Sequence, residues 1–230
     1  MTAVAGGAAL GCAPFSIVVL RAAVFALALL PAFPVAADTF RFSADRMSGS
    51  RATGKDVTVL SGNAEVRSED LTLRADRIEL TGKDNRYIEC SGKVLGIDDK
   101  RGIKFVTERL RYDRELKIAR LDGDSSLEDN ENGVIAKARY IKYDDGTGVS
   151  VLQVSVRIFK GDLVCRSQYA LYRRKEKSLE LSGFPVVYKK DDEFRAERIR
   201  VDLDTEDVVM DGSVSGTIRQ GAGDAGNAKP

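Results

Sequence analysis

Histidine and tryptophan are absent from these 230 residues. Without histidine, the commonest metal ligand and the usual general base near neutral pH are missing. Acidic residues fall mainly at turns, as in Asp98-Asp99, Glu128-Asp129 and Asp144-Asp145, with no nucleophile nearby, so the chain does not read as an enzyme and implies no cofactor or metal. Cysteine is scarce: Cys12, Cys90 and Cys165. The last two lie ~20 Å or more apart at ordinary strand spacing, beyond disulfide reach, and read as small buried apolar residues. A charge surplus is lacking too. Residues 1–37 hold one charge, Arg21, and beyond them bases and acids are equal in number. That balance excludes the basic footprint of a nucleic-acid binder.

What the chain does have is a repeat. A glycine among alternating apolar residues recurs at Gly62, Gly92, Gly123, Gly183 and Gly212, with Val154 in the fourth place, at spacings of 30, 31, 31, 29 and 29 residues. A small-x-x-aliphatic tetrad keeps nearly the same step: Ala44…Met47, Ala75…Ile78, Thr107…Leu110, Ala138…Ile141, Ser167…Ala170 and Ala196…Ile199. A fixed period near 30 means stacked supersecondary units, none able to bury its apolar face alone.

Within a unit the apolar period is two. Leu60, Gly62, Ala64 and Val66 alternate with polar residues, then Leu71, Leu73 and Ala75 do so after a polar turn. The step from Ala75 to Ile78 is three, a phase slip that predicts a bulge or corner carrying one face around. The expected fold is all-β: an elongated antiparallel jellyroll of about 30-residue repeats, folded like a taco shell with two facing sheets. Its inner face is expected to carry Leu60, Ala64, Val66, Leu73, Ile78, Val94, Phe105, Leu121, Ala136, Ala138, Ile141, Leu152, Val154, Val156, Leu181, Val187 and Ile199, with the marker glycines Gly62, Gly92, Gly123 and Gly183 as small residues among them. Pro185, lacking an N–H, belongs at a bulge or unpaired edge.

The ends read differently. An apolar run from Ile17 to Leu30, two prolines and Val35-Ala36-Ala37 fit an export signal over 1–37, with an uncleaved anchor as the competing reading. The repeat domain then spans 38–220. Residues 221–230, rich in Gly and Ala, read as a disordered tail.

Ala44-Asp45-Arg46-Met47 and Gly62-Asn63-Ala64-Glu65-Val66…Ala75-Asp76-Arg77-Ile78 resemble the signature of the OstA-like domain, that of the organic-solvent-tolerance or lipopolysaccharide-transport periplasmic proteins. The resemblance runs from about Phe40 to Ile218. It implies a periplasmic jellyroll whose interior shelters acyl chains of lipopolysaccharide or a similar glycolipid on the way to the outer membrane. It also implies partners: other jellyroll domains joined by edge-strand addition, head-to-tail copies among them, and transport components at both membranes. The alternative is a structural or adhesive β-solenoid with a closed core and no ligand.

Overall fold

The computed structural model describes residues 41–52 and 55–219; the expected signal segment and the tail lie outside them. Sixteen strands form one unclosed antiparallel sheet. Two short strands open it, β1 (Arg41–Ser43) and β2 (Arg46–Ala52), and both pair with β3 (Lys55–Arg67). Seven more long strands follow in simple succession: β4 (Leu71–Thr81), β5 (Tyr87–Asp98), β6 (Ile103–Asp113), β7 (Ile118–Asp129), β8 (Val134–Asp144), β9 (Val149–Lys160) and β10 (Leu163–Arg173). The last third is cut finer, into β11 (Ser178–Ser182), β12 (Val186–Lys189), β13 (Asp192–Arg195), β14 (Arg198–Asp202), β15 (Val208–Asp211) and β16 (Ser215–Thr217).

Every pairing among the eight long strands slips register near its middle. On β4, Leu73 and Ala75 are buried, Asp76 and Arg77 are exposed, and Ile78 and Leu80 are buried again. Opposite Asp76, β5 spends two residues, Gly92 and Lys93, both at positive φ (76° and 48°). Two residues against one is a bulge; it bends the strand and lets both arms aim their apolar side chains the same way. Glycine is needed at Gly92 on a second count, because a Cβ there would stand 2.4 Å from the Asp76 carboxylate. The tetrad and the glycine are thus two sides of one corner.

Because every long strand bends at the same level, the corners align into a seam and the arms form two walls. One wall holds the arms 64–67, 71–75, 94–98, 103–107, 125–129, 134–138, 156–160 and 163–167, then β12, β13 and β16, with β1 at its far end. The other holds β2, the arms 57–61, 77–81, 87–91, 109–113, 118–122, 140–144, 149–153 and 169–173, then β11, β14 and β15. The two facing layers expected from the sequence are therefore one sheet creased along its length. At the C-terminal units the crease breaks the strands outright; buried Pro185 sits in the gap between β11 and β12.

Opposite the seam the hairpin turns line up as a mouth. An aspartate ends many arms and folds its turn: Asp98, Asp113, Asp129, Asp144 and Asp202 each accept backbone N–H groups two or three residues on, at 2.8–3.3 Å. Turn-to-turn bonds such as Asp99 N–H to Asp70 O (3.0 Å) and Asp145 N–H to Lys117 O (3.0 Å) carry the ladder to the rim. One continuous core runs between the walls from Leu60 to Leu203. Cys90 and Cys165 are free thiols within it, each pushed up to about 12 by burial, so they stay protonated and inert.

Candidate functional site

Between the walls, at β4 to β8 and the mouth beside them, lies a cavity of about 360 Å³. Leu71, Leu73, Ile103, Phe105 and Leu127 face it from one wall; Ile88, Leu110, Tyr112, Ala119, Leu121 and Tyr143 face it from the other. Its size is near the small end of ligand-sized cavities, and its lining is apolar with a polar rim, the usual composition of such sites. The rim is made of turn residues, Ser68, Glu69, Asp70, Asp98 and Arg101 against Arg114, Lys117 and Asp145.

The void has a local cause. Gly96 and Phe105 are cross-strand partners, and a Cβ on Gly96 would overlap the Phe105 ring at 2.0 Å. The ring therefore lies flat over the glycine backbone and leaves the space above it empty. Ala119, on the opposite wall, adds little bulk. Tyr143 at the rim is pushed up to about 12 by burial, so its hydroxyl stays neutral.

Two clasps cross the mouth. Arg101, held by Asp98 at 2.6 Å, reaches Asp145 of the other wall at 2.6 Å. Farther along, Arg174 meets Asp129 at 2.8 Å, and Asp129 also accepts from the Tyr172 hydroxyl (2.7 Å) and the Asn132 amide (2.9 Å). The Asp129 side chain is fully buried. The two carboxylates respond oppositely. Burial pushes Asp145 up, and Arg101 only partly offsets it. Burial would raise Asp129 too, but the bonds from Arg174, Tyr172 and Asn132 outweigh it and hold that carboxyl below its ordinary range. Past these clasps Lys160 donates to the Leu203 carbonyl, and Lys189 meets Glu206 at 3.1 Å, again from wall to wall.

Of the inner-face residues expected from the sequence, Leu73, Phe105 and Leu121 line the cavity. Leu60, Ala64, Val66, Ile78, Val94, Ala136, Ala138, Ile141, Leu152, Val156, Leu181, Val187 and Ile199 are buried in the core between the walls. Val154 is a correction: it is 48% exposed, at φ 66° on the seam. It takes the corner place that glycine holds elsewhere, so its side chain leaves the interior. The glycines Gly62, Gly92, Gly123 and Gly183 are corrected likewise, since they sit on the corners rather than on the inner wall. The clasp residues were not anticipated; the one available signal was the aspartate at the end of so many strands.

Buried hydroxyls complete the corner. Thr107 and Ser125 share a 2.8 Å bond, and Thr107 also donates toward the carbonyls of Arg109 (3.2 Å) and Asp122 (3.1 Å). The bulge frees those carbonyls, and a small hydroxyl is the cheapest way to satisfy them inside a core.

Residues 43–149 match the family described as LptA/(LptD N-terminal domain) LPS transport protein, in agreement with the OstA-like signature. No curated protein matches the sequence. Among solved structures, the chain is similar to LptH from Pseudomonas aeruginosa, described as the LptA homologous periplasmic component of the lipopolysaccharide transport device. Identity is 12%, covering 80% of this chain and 96% of that one, with a TM-score of 0.24, too low to bear on the fold.

Proposed function

We propose that this chain is a periplasmic carrier that shelters acyl chains of lipopolysaccharide or a similar glycolipid between its walls. On this reading residues 1–37 direct export, 38–220 form the carrier and 221–230 are a disordered tail. The observation that carries the proposal is the apolar cavity beneath a polar mouth. An amphiphile can place its tails inside and leave its headgroup at the charged rim. Each buried CH₂ contributes about 0.8 kcal/mol, so a few carbons already favour the cavity over water.

Transfer needs a path from copy to copy, and both ends of the body offer one. Among the described residues, β1 and β2 each pair with one strand, as do β15 and β16, so each wall ends in an edge strand open to strand addition. Apolar side chains are exposed there: Phe42 and Met47 at one end, Val209, Val214 and Ile218 at the other. Stacked end to end, or onto jellyroll domains of membrane components, such bodies would form a continuous trough. The test is photo-crosslinking to lipopolysaccharide with a probe at Leu73, Phe105 or Leu121 and, for comparison, at outward Arg74 or Arg198. Label confined to the inward set supports the carrier. Label on the outward set alone, or on neither, leaves a closed β-solenoid.

A further inference from the structure

We infer that the outer face of the wall formed by β8, β9, β10 and β12 docks on an anionic lipid surface. Lys137, Arg157 and Arg166 are directly opposite one another on three adjacent strands. All three are exposed, and among the described residues none of them has a carboxylate partner. Like charges in direct cross-strand register repel, and no carboxylate on these arms offsets the repulsion. No acidic side chain lies among the outward residues of these four arms, although the chain as a whole carries nearly equal numbers of bases and acids. The other outward residues there are apolar: Ile135, Phe159, Val164, Val186 and Tyr188. Ile135, Phe159, Val164 and Tyr188 form a second row beside the first, in register across the same strands.

Two of the cations lean over aromatic rings of the second row, Lys137 over Phe159 at 6.0 Å and Arg166 over Tyr188 at 5.4 Å. The patch is therefore basic and apolar at once. A lipid leaflet matches it layer for layer, with phosphates for the cations and the interfacial region for the aromatic and aliphatic side chains. An acidic protein would satisfy the cations alone. The patch faces away from the cavity, so the inference stands apart from whether the interior holds acyl chains.

Vesicle co-sedimentation of the full chain decides it, using phosphatidylcholine vesicles with and without phosphatidylglycerol. The apolar run at 17–30 can itself partition, so the readout is the ratio of binding on anionic to neutral vesicles. Each surface cation contributes roughly a fivefold gain on an anionic leaflet. The triple variant Lys137→Ser, Arg157→Ser, Arg166→Ser is therefore expected to lose that ratio by about a hundredfold. Raising the salt should erase the parent's preference as well. The inference is overturned if the parent shows no anionic preference, or if the variant, with its circular dichroism unchanged, keeps it. Binding to poly-aspartate with no preference among vesicles would assign the patch to an acidic protein and also overturn it.

Discussion

Single positions show how the corner works. A left-handed backbone costs a non-glycine residue roughly 1–2 kcal/mol, and Val154 carries that cost at φ 66°. Val154→Gly is expected to stabilise the fold by about 1 kcal/mol, read as a raised midpoint in chemical denaturation. Val154→Asp should be tolerated, since the side chain is outside. Val156→Asp, two residues on and 1% exposed, should cost several kcal/mol by burying an unpaired charge. Gly96 offers the complementary test. Gly96→Val would drive the Phe105 ring off its glycine seat and into the cavity; loss of lipid crosslinking at Leu73 with the fold intact is the expected result. The alternation of apolar residues made the inner face legible. It misplaced Val154 because a β-branched residue fits a strand pattern unbroken, and no glycine marks that corner.

At the scale of elements, the two clasps give the mouth a pH response whose sign can be worked out. Asp145 has a raised carboxyl, so it takes up its proton first as the pH falls. Folding is not weakened by that step, because the ionised form is the costly one, but the ionic link to Arg101 is lost. Asp129 has a lowered carboxyl; its contribution persists above the ordinary carboxylate value and disappears only as the pH drops through its depressed one. A mildly acidic window should therefore release the clasp beside the cavity while the other holds. Dye uptake by the cavity should rise in that window, and Asp145→Asn should show the raised uptake at every pH. If Asp145→Asn leaves the pH profile unchanged, the clasp does not gate the mouth. Arg174→Met should cost about 3 kcal/mol in a denaturant titration, since Asp129 keeps its burial and loses its counter-ion. None of these pairings was readable in the sequence. The residues meet across the mouth, and their separation along the chain, up to 45 positions between Asp129 and Arg174, carries no periodic signal.

For the whole molecule, the repeat announced the architecture because each unit can bury its apolar face only against its neighbours. What the repeat left unread was the hollow near β4 to β8, which is shaped by single residues such as Gly96 and Phe105 rather than by the period. End-to-end growth is the property to measure at this scale. Val209→Lys with Ile218→Lys places charge on the terminal edge, where such residues discourage strand addition. Sedimentation velocity should show the parent's apparent mass rising with concentration and the variant's staying that of one chain. An unchanged series would place association elsewhere.

The crease has one more consequence. A sheet that turns back along a line of corners, marked by glycine in every unit but one, has a spine, and a spine lets two covers swing. Prying the rim apart would ask for rotation at a row of already permissive backbone positions while the ladders within each cover stay intact. Bulky cargo could then be admitted sideways, page-fashion, without unthreading a strand.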